Sequence, residues 1–151
     1  MEDLSPLVTI SGEVRRALEL REPDLAAMAD AGVVADVHCR EGWSRLGVRW
    51  RGVPLGRLLE RAEATAEGRF VTLAAGAFQV VLTREQAEDA RVLLALERDG
   101  VKLDASTGLP RLVGPSDWDC FLSVKGVERI ELTREPGEST AERIALERIG
   151  Q

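Results

Sequence analysis

The feature that most constrains this chain is the spacing of its apolar residues, which changes period several times along the sequence. Leu7–Gly12 alternates as an opening strand does. Val33–Cys39 reads as a strand with Val33, Ala35, Val37 and Cys39 on one face and Asp36 and His38 on the other. Phe70–Ala75 and Phe78–Leu82 read as two strands joined at Gly76. Arg111–Val113, Phe121–Lys125 and Arg129–Thr133 read as closing strands.

Between these lie stretches at helical spacing. Pro23 at a first-turn position, followed by Leu25, Met28 and Ala29, predicts a short helix that Gly32 ends. Leu55, Leu58, Leu59 and Ala62 make one stripe of an amphipathic helix. Thr83 is placed to cap a helix over Arg84–Arg98, with Ala87, Ala90 and Leu94 on its buried side. Val48-Arg49-Trp50 is a short extended piece, Gly52-Val53-Pro54 a turn, and Asp99-Gly100 and Thr107-Gly108-Leu109-Pro110 two more. Ser139-Thr140-Ala141-Glu142 fits a capping box, so a charged helix is expected over about 139–149. Strands and helices come mixed, without the regular alternation of a parallel sheet, so the class is α+β. At 151 residues the chain is expected to be one domain, 1–151, with its core over about 5–133.

Charge narrows the function. A formal net charge of −6 argues against a nucleic-acid partner, which needs a basic face. Arg40, Arg45, Arg49, Arg51 and Arg57 form a local basic run, which reads either as a solvated surface or as an anion-binding patch. No stretch approaches the roughly 20 apolar residues of a membrane span. The acidic start, Met1-Glu2-Asp3-Leu4, lacks the layout of a signal peptide, so a cytoplasmic location is expected. Two cysteines, Cys39 and Cys120, cannot build a disulfide framework and are expected to stay reduced.

The catalytic inventory is short. There is one histidine, His38, and no tyrosine. A zinc site draws on Cys and His, and only His38, Cys39 and Cys120 are available, the first two pointing to opposite faces of a strand. The same geometry excludes a nucleophilic Cys–His pair there, and there is neither a P-loop nor a dinucleotide-binding glycine pattern. Cys39 itself reads two ways. A cysteine on the apolar face of a strand commonly serves packing. A thiolate at a strand end, beside Arg40 and a glycine-bearing loop, is also where a soft metal binds.

The surrounding string carries a resemblance. His38-Cys39-Arg40-Glu41-Gly42-Trp43-Ser44, then Arg49-Trp50-Arg51-Gly52-Val53-Pro54-Leu55 and Leu58-Leu59, resembles the signature of the sulfite oxidase superfamily. The resemblance is to its small bacterial molybdopterin-dependent oxidoreductases. It continues through Leu93-Leu94-Ala95, Asp99-Gly100, Gly108-Leu109-Pro110-Arg111-Leu112-Val113 and Ser123-Val124-Lys125, in order over about residues 5–133. The cysteine segment is its most specific piece.

The resemblance implies a mixed-sheet sulfite-oxidase-type molybdopterin-binding fold, shortened at the N-terminus, where six residues precede the opening strand. It implies the molybdenum cofactor, with Cys39 as the thiolate ligand to molybdenum and the catalytic residue, and with Arg111, Ser123 and Lys125 holding the anionic pterin. It also implies two-electron oxo transfer on a small substrate, with an electron-transfer partner. Arg40, Arg45 and Arg111 are candidates to orient an anionic one. Cys39 is then expected to line a pocket shared with Arg111 or Lys125, with Trp43 and Trp50 nearby. The chain departs from the family pattern at Gly76-Ala77-Phe78, at Leu122 in place of a lysine and at Gly126 in place of a tryptophan. Asp117 and Asp119 add negative charge where a phosphate needs positive charge. These departures predict partial or absent cofactor occupancy. They keep open an alternative, a cofactor-free binding or interaction module that retains the fold.

Overall fold

Alternation builds the first sheet. The computed structural model describes residues 7–29, 31–38, 44–104, 108–115 and 124–136, with backbone alone at 31, 33–38 and 44–46. β1 (Val8–Gly12) buries Val8 and Ile10 and turns Thr9 and Ser11 to the other face. The same period buries Ile130 and Leu132 in β10 (Arg129–Thr133), Val71 and Leu73 in β5 (Phe70–Ala75), and Val80 and Leu82 in β6 (Phe78–Thr83). With β2 (Leu18–Leu20) at one edge the strand order is β2-β1-β10-β5-β6. β1 and β10 run parallel, Ile10 beside Ile130, and the other pairs are antiparallel. Gly76, at φ +59°, sits in the tight turn of the β5–β6 hairpin, as its place between two apolar runs predicts.

The second sheet holds β3 (Ala31–His38), β4 (Ser44–Pro54), β7 (Leu93–Arg98) and β8 (Val101–Lys102) in that order, all antiparallel; β9 (Arg111–Val113) also pairs with β7. Both sheets contribute to one core, in which Val53, Leu94, Leu96 and Leu112 join Val8, Ile10, Leu73 and Ile130. α2 (Leu55–Arg61) adds Leu55, Leu58 and Leu59, the stripe its spacing predicts, at about 1.5–3 kcal/mol per buried leucine. A second, smaller cluster lies on the other face of this sheet: Val48, Trp50, Leu93, Ala95, Leu103 and Val113. The class is α+β, and among the described residues no helix is long and apolar enough to cross a membrane.

Three expectations are corrected. The helix expected over Arg84–Arg98 is a short α3 (Arg84–Glu88) followed by β7. Thr83 caps it as expected: its hydroxyl accepts from the Gln86 N–H (3.1 Å) and the Gln86 side chain accepts from the Thr83 N–H (2.9 Å). The Asp89 carboxylate then accepts from the Arg91 backbone N–H (2.8 Å) and grips its guanidinium (2.8 and 3.1 Å), which turns the chain out of the helix. β7 is buried on both faces, Leu94 and Leu96 in the main core and Leu93 and Ala95 in the second cluster, so its continuous apolar run mimics a helix stripe.

Gly52-Val53-Pro54 is not a turn but the end of the eleven-residue β4. Gly52 is buried where a Cβ would collide with the Leu94 carbonyl oxygen and lie 2.6 Å from the Ala95 Cα. The glycine serves strand-to-strand approach at the register shift between Arg51 and Gly52. Gly32 does not end the first helix either: α1 (Glu22–Met28) stops earlier, and Gly32 lies within β3 opposite Arg51. The Met28 and Ala29 carbonyls accept instead from Arg57 Nη1 (3.1 Å) and Arg51 Nε (3.2 Å), which satisfies the end of α1 from neighbouring elements. The short strands β2 and β8 were not foreseen. Of Phe121–Lys125 only Val124 and Lys125 are described, and the expected C-terminal helix lies outside the described residues.

Candidate functional site

β9 is buried along its whole length, and its first residue is an arginine with 6% exposure. Strand alternation sends Leu112 into the main core. Arg111 and Val113, which pair with Ala95 and Leu93, go to the opposite face of the sheet. Trp50 of β4 occupies the same face, and the Arg111 guanidinium carbon stands 5.0 Å from the centroid of its ring. Trp50 and Arg111, both expected near a pocket lined by Cys39, meet here, while Cys39 and Trp43 lie outside the described residues. A guanidinium suits this position better than an ammonium would, because it is planar and weakly hydrated, and can lie on an indole face.

Lys125 is the backbone bridge partner of Arg111. The Leu112 N–H donates to the Val124 carbonyl and the Val127 N–H to the Pro110 carbonyl, each 2.9 Å, so hydrogen bonds flank the pair rather than link it. Paired residues of that kind stand close, with Cα atoms about 4.5 Å apart. Gly108 packs against the base of Lys125: at φ +94°, a Cβ there would lie 2.5 Å from the Lys125 Cβ. That contact fixes the lysine stem while leaving the residue exposed. Gly126 follows at φ +70°, a conformation that glycine adopts readily, which accounts for glycine where the family pattern has tryptophan.

Arg111 and Lys125 are thus brought together, as two cations directly opposite each other. Two cations so placed can share one anion through charge-assisted donors. Among the described residues Lys125 forms no ion pair. This donor set fits the anionic part of a phosphorylated pterin: one cation is buried against an aromatic ring, and the other is pinned at its base with its charge toward solvent.

The remaining expected site residues, Cys39 and Ser123, lie outside the described residues, as do Arg40, Trp43, Asp117, Asp119, Cys120 and Leu122. Their chain neighbours are placed. β3 leads into Cys39 through His38, which pairs with Ser44, while Val33 pairs with Trp50 and Ala35 with Val48. Ser123 precedes Val124, whose carbonyl bonds β9. The cysteine strand and the Arg111–Lys125 pair consequently belong to one sheet. Sequence reasoning met Gly108 in a turn and in the family string but did not foresee its packing against Lys125.

Two surface depressions among the described residues lie elsewhere. One, about 430 Å³, is lined by Arg15 and residues 63–67. The other, about 310 Å³, lies between α1 and β7–β8, where the Arg51–Glu97 and Lys102–Glu22 ion pairs already satisfy the charges.

Comparison with known proteins gives concordant results. The model of a family described as "Oxidoreductase molybdopterin binding domain" matches residues 7–141. The chain is 30% identical over 162 aligned residues to the protein-methionine-sulfoxide reductase catalytic subunit MsrP of Campylobacter jejuni, covering 95% of this chain and 54% of that protein. The crystal structure of the sulfane dehydrogenase SoxCD from Paracoccus pantotrophus superposes with a TM-score of 0.76 at 26% identity, over 88% of this chain and 39% of that one. The chain thus spans about half the length of the first relative and less of the second.

Proposed function

The chain belongs to the oxidoreductase molybdopterin binding domain family, and from that premise we propose that it holds a molybdenum cofactor and serves a two-electron oxo transfer at sulfur. The observation that carries this reading is the Arg111–Lys125 pair, two opposed cations with one stacked on Trp50. When bound, the cofactor supplies the redox-active metal centre. The protein's own groups do the rest. Cys39 offers a thiolate, a soft ligand matched to a soft metal that also tunes its potential. Arg111 and Lys125 would neutralise the anionic pterin, and Ser123 would supply a neutral hydrogen-bonding group.

The substrate assignment follows the two relatives, one named for methionine sulfoxide and the other for sulfane sulfur. A small sulfur compound is the substrate class, with Arg40, Arg45 or Arg111 available to orient an anionic one. Oxo transfer leaves two electrons to be supplied or removed, so an electron-transfer partner completes the cycle.

The test is expression of the whole chain in a host that makes the cofactor, followed by elemental analysis. The expected result is molybdenum bound in a stable ratio to protein and, in Cys39→Ser, lost turnover with altered metal absorption. Metal-free protein from a competent host would overturn the reading in favour of a cofactor-free interaction module.

A further inference from the structure

Trp50 is 3% exposed, and its indole Nε1 is buried with no hydrogen-bond partner among the described residues. A buried donor without an acceptor costs free energy, and folds retain few of them without a reason. Packing does not supply that reason. A phenylalanine would fill much of the same space on the outer cluster of Val48, Leu93, Ala95, Leu103 and Val113, and would leave no donor to satisfy. Nor does the cation supply it, because Arg111 lies over the ring and guanidinium groups accept no hydrogen bonds. Among the described residues, the indole N–H therefore stands on the same sheet face as Arg111 and Lys125 with no acceptor.

We propose that Trp50 is a cofactor-positioning residue of this site: its ring fixes the Arg111 guanidinium, and its indole N–H donates to an acceptor of the bound molybdenum cofactor. The inference rests on the function proposed above. It explains why an indole, rather than another large apolar side chain, occupies β4 at this point. It also gives the site two different kinds of donor, one charged through Arg111 and one neutral through Trp50.

The experiment compares wild type, Trp50→Phe and Trp50→Leu, each as the full chain. Molybdenum per chain is measured after gel filtration of protein from a cofactor-making host, and melting temperature on cofactor-free protein from a host that cannot make it. Trp50→Phe keeps a ring and removes the donor. It is expected to lose molybdenum about tenfold faster, the worth of one hydrogen bond to a charged group. Its cofactor-free form should melt at or above the wild-type temperature, since an unsatisfied buried donor is gone. Trp50→Leu should fall in both measurements. Wild-type molybdenum retention in Trp50→Phe would overturn the proposal, and so would a joint fall in retention and cofactor-free melting temperature, which marks a purely structural residue. A wild type that never takes up molybdenum would instead sink the proposed function, and this inference with it.

Discussion

The guanidinium carbon of Arg111 lies 5.0 Å from the centroid of the Trp50 ring, with both residues almost wholly buried. The contact joins β9 to β4 across β7 and places a fixed cation beside the apolar cluster of Val48, Leu93, Ala95, Leu103 and Val113. Its bridge partner Lys125 differs in burial and hence in what its removal should cost.

Arg111→Lys removes the planar group that lies on the indole. Stability should fall by about 1–2 kcal/mol, read as a lowered urea midpoint with an unchanged slope. Lys125→Ala should leave stability within about 0.5 kcal/mol of wild type, since the residue is exposed, while cofactor occupancy falls. Parallel losses of stability in the two variants would mean that Lys125 is part of the packing.

Gly52→Ala should be among the most damaging small substitutions in the chain. The added methyl would meet the backbone of Leu94 and Ala95, which cannot give way as a side chain can. A loss of about 2–3 kcal/mol is expected, at the upper end for overpacking. Gly100→Ala has open space but a φ of +81°, and should cost only about 1 kcal/mol. Chemical denaturation of the two variants separates steric from conformational cost.

Thr83→Ala removes the hydroxyl arm of the capping box on α3, which accepts from the Gln86 N–H, and leaves the arm from the Thr83 backbone N–H to the Gln86 side chain. The expected loss is about 1 kcal/mol, recovered in large part by Thr83→Ser. Equal losses for alanine and serine would show that the methyl group, not the hydroxyl, matters there.

Asp89 has its carboxyl pulled from 3.8 down to about 2, first by the side-chain hydrogen bond from Arg91, then by the Arg91 backbone N–H. A depressed folded-state value means that its contribution is complete above the ordinary carboxylate range. It is lost as pH falls toward 2. An NMR titration should place its midpoint near that value, and Arg91→Ala should move it upward. An unmoved midpoint would assign the shift to other groups.

Local grammar was legible in the residues. The Gly76 hairpin, the Thr83 capping box and the Leu55–Ala62 stripe each follow from interactions within a few residues, so spacing alone announces them. The motif string around Cys39, Trp50 and Arg111 likewise pointed to the family that matches residues 7–141. Arg111 or Lys125 was expected to share a pocket with Cys39 and to have Trp43 and Trp50 nearby, but the sequence did not say that Arg111 would lie over Trp50 and opposite Lys125.

Long-range structure was decided elsewhere. Leu93–Arg98 is a strand because sheet partners on both sides and apolar layers on both faces were available to it, and its own residues carry a helix-like period as well. Gly52 reads as a turn until Leu94 and Ala95 are laid against it. The parallel pairing of Ile10 with Ile130 and the opposition of Arg111 to Lys125 depend on register between distant segments. Periodicity records which face of an element is apolar; only the folded chain chooses what that face meets, because burial is shared among all the elements at once.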